Sequence, residues 1–248
     1  MTNSTNGHRP YPRSVALVRI SLEIRSGERV AILGPSGSGK TTLLHIMGGV
    51  IQPDQGSILI NDRPLGSLRP GRELASLVGI IHQQFDLVPH LSVMHNVMAG
   101  RLGQWGTLGC LFSLVSPRER HLAVDALGKL GIADKLYERT SRLSGGEQQR
   151  VAMARLLVQT PKAILADEPV ASLDPARAED LMCLLTDIAR ESGKTLVTSL
   201  HSTQLVRTYF SRAIGLRNGE LQFDLPVDAV TDNMLDALYN IAGLRVEG

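Results

Sequence analysis

The sequence GPSGSGKT, residues 34–41, decides the fold, because it matches the phosphate-loop pattern G-x-x-x-x-G-K-[ST] in full. It follows the apolar run RVAIL (29–33), which is typical of a strand buried on both faces, and it opens a predicted helix over 40–47. The glycines let backbone N–H groups turn toward phosphate oxygens, and the helix N-terminus adds positive partial charge. Lys40 would then contact the β- and γ-phosphates, and Thr41 would ligate Mg²⁺. The alternative is a plain glycine-rich turn, which the flanking strand and helix disfavour.

Apolar runs and helical periodicity alternate along the rest of the chain, which predicts an α/β fold. A further buried strand is predicted at 163–166, and other strands are predicted at 57–60, 77–81, 195–200, 213–216 and 221–223. A half-exposed antiparallel strand is predicted at 15–24, where apolar and polar residues partly alternate. Further helices are predicted at 92–98, 117–130, 145–157, 175–190 and 231–244. No strand signal occurs between about 87 and 160, so this stretch is interpreted as a helical insertion.

Two adjacent acids end one of the predicted strands. Asp167 and Glu168 follow the apolar run AILA at 163–166. Ligands of open α/β sheets bind at the carboxyl ends of the strands. Asp167 is therefore placed to hold the Mg²⁺ shell, and Glu168 to polarise a water for attack on the γ-phosphate. A solvated acidic turn is the alternative, and the phosphate loop upstream favours the functional interpretation.

The stretch LSGGEQQR, residues 143–150, places two glycines at the start of a predicted helix. Free N–H groups at such a helix start can bind an anion. An ordinary helix N-terminus capped by Ser144 is the alternative interpretation.

Composition excludes several classes of protein. Aromatic residues make up 4% of the 248 residues and the net charge is +2, which argues against base-stacking nucleic-acid modules and polybasic membrane anchors. The two cysteines, Cys110 and Cys183, lack the spacing of a zinc site or a disulfide scaffold. No apolar run approaches the roughly 20 residues that span a bilayer. Residues 1–10 are polar, do not form a secretory signal and are expected to be disordered.

The chain resembles the nucleotide-binding subunits of ATP-binding-cassette (ABC) transporters over about residues 11–239. GPSGSGKT resembles the family's Walker A loop, ILADE its Walker B strand and LSGGEQQR its signature motif. The resemblance implies a P-loop NTPase (RecA-like) fold: a mixed sheet with an antiparallel β subdomain and an inserted all-helical subdomain. It implies one ABC ATPase domain over 1–248, with an α/β catalytic core at about 11–86 and 161–248 and the helical signature subdomain at about 87–160.

The resemblance also assigns roles to single residues. Gln83 resembles the Q-loop glutamine, with a catalytic and a Mg²⁺-binding role, and His201 resembles the catalytic switch histidine. Glu168 is then the catalytic base, and Thr41 and Asp167 are the other Mg²⁺ ligands. Residues 172–174 resemble the D-loop, and Tyr11 stands where the family places an aromatic that stacks on adenine. The full set of expected nucleotide contacts is Tyr11, Gly34, Pro35, Ser36, Gly37, Ser38, Gly39, Lys40, Thr41, Thr42, Ser144, Gly145, Gly146, Glu147 and Asp174.

Two subunits of this family sandwich two ATP molecules, each signature helix capping the γ-phosphate bound by the opposite Walker A loop. The resemblance therefore implies ATP and Mg²⁺ as ligands and a homodimer as the active form. It implies integral membrane permease subunits and a solute-binding protein as partners, and no nucleic acid. The expected location is peripheral, on the cytoplasmic face of the inner membrane.

Within the family, the chain is most similar to the ATPase subunits of phosphonate importers. The similarity lies in residues 96–113, an insertion that contains Trp105, and in residues 166–175. It implies ATP-driven uptake of a small oxyanion, most of all phosphonate, with phosphite or a phosphate ester as related solutes. Importers of an unrelated solute and soluble ABC-type ATPases that are not coupled to transport remain alternatives. A degenerate, purely regulatory cassette is disfavoured because Glu168, His201 and the signature glycines are all present.

Overall fold

The computed structural model describes residues 15–69, 71–82, 85–104, 119–171 and 173–239. The strands in these ranges are β1 (Arg29–Leu33), β2 (Leu59–Ile60), β3 (Arg63–Pro64), β4 (Val78–Ile81), β5 (Ala163–Asp167), β6 (Thr195–Ser199), β7 (Arg212–Arg217) and β8 (Glu220–Pro226). The α-helices are α1 (Lys40–Met47), α2 (Arg72–Leu77), α3 (Val93–Met98), α4 (Arg120–Lys129), α5 (Gly145–Gln159), α6 (Pro175–Glu191), α7 (Thr203–Tyr209) and α8 (Asp232–Tyr239). Short 3₁₀ helices lie at Leu65–Ser67, Ala99–Gln104, Ala133–Lys135, Thr140–Arg142 and Val227–Ala229.

A six-stranded mixed sheet forms the centre of the molecule, with strand order β4-β5-β6-β1-β7-β8. Neighbours from β4 to β7 are parallel, whereas β8 pairs with β7 antiparallel. Strands β2 and β3 form a separate antiparallel pair. The mixed sheet predicted from the sequence is confirmed. Because β1, β4, β5 and β6 run parallel, their carboxyl ends meet at one edge of the sheet, where ligands of such sheets bind.

Both faces of the sheet are covered, as the continuous apolar run of β1 predicts. Val30 and Ile32 face one core cluster, together with Leu44 of α1. Ala31 and Leu33 point to the opposite face and join the second cluster. Successive side chains of a strand alternate between its faces, so a strand that is buried on both sides must be apolar throughout.

The described residues between 87 and 160 form helices α3, α4 and α5, which pack on one another, together with 3₁₀ turns. The only β-type pairing within those described residues is an isolated bridge between Ser92 and Arg139. Ser92 caps α3, since its side chain accepts a hydrogen bond from the His95 N–H. Helix α4 begins at Arg120, directly after Glu119, which has a left-handed φ of 64°. Residues 117 and 118, the predicted start of this helix, lie outside the described residues.

The antiparallel strand predicted at 15–24 is wrong. These residues form no ladder; one backbone hydrogen bond, from Val18 N–H to the Gly219 carbonyl (2.7 Å), joins them to the β7–β8 turn. Arg19 has a φ of 49°, which breaks an extended strand. The apolar side chains that suggested a strand, among them Leu17 and Ile20, instead pack onto the core cluster beside α1.

Other predicted elements are present with shifted ends. Leu77, predicted as the start of a strand, is the last residue of α2, and β4 begins at Val78. Helices α2 and α7 had no sequence prediction. The helix predicted at 231–244 is observed as α8 up to Tyr239, and residues 240–248 lie outside the described ranges.

Candidate nucleotide site

The phosphate loop, residues 34–41, runs from the end of β1 into the first turn of α1. Gly39 has a φ of 104°, and a Cβ atom there would lie 2.8 Å from the carbonyl oxygen of Ala16. A Cβ atom on Gly34 would lie only 2.1 Å from the carbonyl oxygen of Leu216. Glycine is therefore required at both positions. Neither position has space for a side chain, and Gly39 also adopts a backbone conformation that favours glycine.

Lys40 folds back over this loop. Its Nζ donates hydrogen bonds to the carbonyl oxygens of Gly34 (2.9 Å) and Pro35 (3.1 Å), and it lies 3.7 Å from Oε1 of Glu168. The side chain is only 4% exposed. Burial lowers the pKa of the ammonium, while Glu168 and Asp167 act in the opposite direction. The loop thus holds a desolvated cation next to two acids.

The two acids lie at the end of β5, as the sequence predicts. Asp167 is the last residue of the strand and pairs in register with Ser199 of β6. The Ser199 hydroxyl donates to Oδ1 of Asp167 (2.7 Å) and accepts from the N–H of Glu168 (2.8 Å). Glu168 has a φ of 45°, a backbone conformation that costs energy in a residue with a side chain and that is common at functional sites.

His201 follows β6 and joins the cluster. Its Nε2 lies 2.7 Å from Oε1 of Glu168. This is the same carboxylate oxygen that lies 3.7 Å from the Lys40 ammonium. The carboxylate of Glu168 is therefore held between Lys40, the first residue of α1, and His201, which follows β6.

These residues fit MgATP. Among the described residues, the buried hydroxyl of Ser38 has no hydrogen-bond partner, so it is available to a ligand in the phosphate loop. Ser36, Gly37 and Thr41 face the exterior, which leaves the loop accessible. A carboxylate from Asp167 and a hydroxyl from Thr41 are the hard oxygen ligands that Mg²⁺ prefers.

The signature segment, residues 143–150, begins helix α5 with a complete capping box. The N–H and hydroxyl of Ser144 both donate to Oε2 of Glu147 at 2.8 Å, and the Glu147 N–H donates to the Ser144 hydroxyl at 3.4 Å. The hydrogen bond from the Ser144 N–H lowers the pKa of the Glu147 carboxyl. Both predictions for this stretch are compatible with the structure: Ser144 caps the helix, and Gly145 and Gly146 have open space beside their Cα atoms.

The structure does not bring the signature segment to the phosphate loop. In the part of the chain that is described, no hydrogen bond or ion pair joins Ser144 or Glu147 to the Lys40–Glu168–His201 cluster. Asp174 is exposed and caps α6 by accepting from the Arg177 N–H at 3.1 Å. Within the described part of this protomer, Ser144 and Glu147 therefore make no direct polar contact with that cluster.

Three expected sites lie outside the described residues: Tyr11, Gln83 and the first D-loop residue, Ser172. Thr42 lies in the first turn of α1, and Pro35 contributes its carbonyl to Lys40.

Two contributors were missed by the sequence prediction. Ser199 could have been found from the parallel pairing of β5 with β6, which places a hydroxyl beside the acids. The second, Tyr239, accepts a hydrogen bond from the N–H of Gly34 at 3.3 Å. No sequence pattern marks it, because it is 205 residues away along the chain.

The family model described as ABC transporter matches residues 17–171, which include the phosphate loop, the signature segment and both acids. The chain belongs to the ABC transporter family. As a member, it binds ATP with Mg²⁺ and hydrolyses it. No helix within the described ranges of this ABC protein is both long and apolar enough to cross a membrane.

Individual proteins of the family are similar over most of the chain. The phosphonates import ATP-binding protein PhnC of Pseudomonas putida is 47% identical over 226 residues, covering 90% of this chain and 84% of the relative. A dimeric ATP-binding cassette solved in a post-hydrolysis state with ADP and Pi is 32% identical, with a TM-score of 0.71, covering 86% of this chain and 90% of that one. The structure of cbiO1 from Clostridium perfringens, part of the ABC transporter complex cbiONQ, is 31% identical, with a TM-score of 0.73, covering 86% of this chain and 82% of that one.

Proposed function

We propose that this chain is the ATP-hydrolysing subunit of an ABC importer that takes up phosphonate. The observation that carries the ATPase part is the contact of one Glu168 oxygen with both His201 (2.7 Å) and Lys40 (3.7 Å) beside the phosphate loop. The solute follows from the relative in Pseudomonas putida, whose name states phosphonate import. Phosphite and phosphate esters share the oxyanion chemistry and are the related candidates.

Within one protomer, each residue of the cluster has a distinct task. The phosphate loop binds the nucleotide phosphates through its N–H groups, and Lys40 supplies the fixed cation. Mg²⁺, held by Thr41 and Asp167, and by Gln83 on the family resemblance, neutralises phosphate charge when bound. Glu168 orients the attacking water and accepts its proton. His201 holds the Glu168 carboxylate in place through the 2.7 Å contact.

A homodimer completes the site. Ser144, Gly145 and Gly146 open helix α5, whose first N–H groups have no acceptor within the helix. Because no hydrogen bond or ion pair joins Ser144 or Glu147 to Lys40, Glu168 or His201 among the described residues, we assign this segment, with Glu147 and Asp174, to the γ-phosphate bound by the other copy. The similar cassette solved as a dimer with ADP and Pi supports this arrangement.

We further propose the division into a catalytic core at about 11–86 and 161–248 and a helical signature subdomain at about 87–160. Helices α3, α4 and α5 pack on one another, while the sheet strands lie on either side of them in the sequence. We place the subunit on the cytoplasmic face of the inner membrane, bound to permease subunits that receive solute from a solute-binding protein. Tyr11 is proposed to stack on the adenine.

Uptake tests the solute assignment. The gene, expressed with its permease and solute-binding protein in cells that lack phosphonate uptake, should support growth on methylphosphonate as the sole phosphorus source. The matched control is Lys40→Ala in the same cells, which should not grow on methylphosphonate but should grow on phosphate. Growth of the Lys40→Ala cells equal to wild type would contradict the proposed function, as would failure of the wild-type system to import any phosphonate.

A further inference from the structure

The C-terminal helix of the described chain reaches the phosphate loop. Tyr239, the last residue of α8, accepts a hydrogen bond from the N–H of Gly34, with 3.3 Å between the nitrogen and the phenolic oxygen. Leu235 and Leu238 of the same helix are buried in the core. The tyrosine ring packs at the edge of that cluster, so the hydroxyl is held at the loop by a fixed helix.

Gly34 is thereby held at both of its backbone polar groups. Its N–H donates to Tyr239, and its carbonyl accepts from Nζ of Lys40 at 2.9 Å. On its third side, the space for a side chain is filled by the carbonyl of Leu216. The orientation of the first peptide of the phosphate loop thus depends on a residue from the far end of the chain.

Helix α8 has anchors that do not involve the phosphate loop. Arg207 donates to Asp232 at 2.7 Å, and Arg217 donates to the carbonyl of Ala237. The hydroxyl of Thr231 accepts from the N–H of Met234 at 3.3 Å. Loss of the Tyr239 hydroxyl therefore leaves the helix docked and removes only its bond to the loop.

We propose that Tyr239 is a positioning residue of the nucleotide site, which holds Gly34 so that the phosphate loop is already shaped for the phosphates. This inference rests on the proposed ATP site. Burial raises the pKa of the Tyr239 phenol, so the hydroxyl is neutral at physiological pH and can accept the Gly34 N–H. Preorganising a binding loop lowers the ordering cost that the ligand must otherwise meet.

The variant Tyr239→Phe keeps the ring and removes only the acceptor. We expect the dissociation constant for MgATP to rise about fivefold, the size typical of one lost neutral hydrogen bond, with kcat changed less than about twofold. The amide of Gly34 should also exchange its hydrogen faster in the nucleotide-free protein. The matched control is Tyr209→Phe, which removes a hydroxyl that donates to the backbone carbonyl of Glu179 at 3.3 Å, away from the loop.

If the Tyr239 hydroxyl served only stability, Tyr239→Phe and Tyr209→Phe would shift the unfolding temperature by similar amounts, and neither would change the affinity for MgATP. Equal MgATP affinity of wild type and Tyr239→Phe, or an unchanged exchange rate of the Gly34 amide, would overturn this inference alone. Wild-type protein that binds no MgATP would overturn the proposed function and this inference with it. Weakened affinity in Tyr239→Phe with wild-type affinity in Tyr209→Phe is the supporting result.

Discussion

The hydroxyl of Ser199 donates a hydrogen bond to Asp167 across the pairing of β5 with β6, with 2.7 Å between Oγ and Oδ1. The same oxygen accepts the N–H of Glu168 at 2.8 Å, where the backbone turns into the left-handed region. Ser199 is fully buried. One hydroxyl therefore fixes the orientation of Asp167, the acid proposed to bind Mg²⁺, and the backbone of Glu168, the proposed catalytic base.

Ser199→Ala should lower both stability and turnover. It leaves the Glu168 N–H without its acceptor, and an unsatisfied buried polar group costs about 1–3 kcal/mol in the free energy of unfolding. Thermal or urea unfolding measures this loss, and the Mg²⁺ concentration that gives half-maximal ATP hydrolysis should rise because Asp167 loses its fixed orientation.

Thr198→Val is the matched control for Ser199→Ala. Thr198 is the preceding residue of β6, is fully buried, and its hydroxyl has no hydrogen-bond partner among the described residues. Replacing that hydroxyl by a methyl group should leave stability unchanged or raise it, by less than about 1 kcal/mol. Equal effects of the two variants on Mg²⁺ dependence would contradict the role given to Ser199.

Lys40→Met should abolish ATP binding and hydrolysis without destabilising the fold. Burial lowers the pKa of Lys40, so folding disfavours its charged ammonium relative to the unfolded chain. Removing the charge removes that cost, and the unfolding temperature should be at least that of wild type. The difference in unfolding temperature between Lys40→Met and wild type should shrink as the pH rises toward 10.5. Over that interval Lys40 loses its proton more readily in the folded state than in the unfolded state, so the wild-type fold gains stability.

Lys194→Met is the control that removes a partly buried lysine outside the nucleotide site. The pKa of Lys194 is also lowered by burial, but it lies at the start of β6, away from the phosphate loop. Lys194→Met should therefore have an unfolding temperature at least that of wild type, as predicted for Lys40→Met, and it should keep wild-type ATP hydrolysis. Retained hydrolysis in Lys40→Met would show that the phosphate-loop assignment is wrong.

Ser144→Arg should leave ATP binding by a protomer intact and block the closed dimer. The arginine would occupy the surface that meets the partner's γ-phosphate, so turnover should be lost while a fluorescent ATP analogue still binds. The variant also loses a helix cap, worth about 0.5–2 kcal/mol. Ser92→Arg is the control for the lost cap. The Ser92 hydroxyl accepts the N–H of His95 at 3.4 Å, the same distance at which the Ser144 hydroxyl accepts the N–H of Glu147. Ser92→Arg should retain ATP turnover. Loss of nucleotide binding in Ser144→Arg protomers would contradict the dimer model.

Much of the site was predictable because its charged and polar residues follow directly after apolar runs of the sequence. The run 29–33 predicted a strand buried on both faces, and the acids at 167 and 168 follow a similar run. Parallel strands bring their carboxyl ends to one edge, so the proximity of Lys40, Glu168 and His201 follows once the strands are identified.

Other features could not be predicted because they depend on contacts between distant residues. Of the apolar residues in the alternating stretch 15–24, Val15 is 73% exposed. Four others are partly buried against the core cluster: Leu17, Ile20, Leu22 and Ile24. Packing of single side chains onto a core cluster produces much the same pattern as a paired strand. The hydrogen bonds of Ser199 with Asp167 and of Tyr239 with Gly34 join residues 32 and 205 positions apart. Local propensity carries no information about either.

Glu168→Gln tests the catalytic assignment most directly, with turnover and MgATP affinity measured on the same protein. The amide keeps the shape of the carboxylate but cannot accept a proton, so turnover should fall by about 10² to 10⁴-fold. Affinity should be retained or increased, because a negative charge near the γ-phosphate is removed while Lys40 is unchanged. The exposed Glu179→Gln is the control and should behave as wild type.

Size-exclusion chromatography of Glu168→Gln with MgATP completes that measurement. If hydrolysis opens the proposed dimer, the variant should elute at dimer mass with MgATP and at monomer mass without nucleotide. Wild-type turnover by Glu168→Gln would contradict the account, because Glu168 would then not be the base and the Glu168–His201 contact would have no catalytic role.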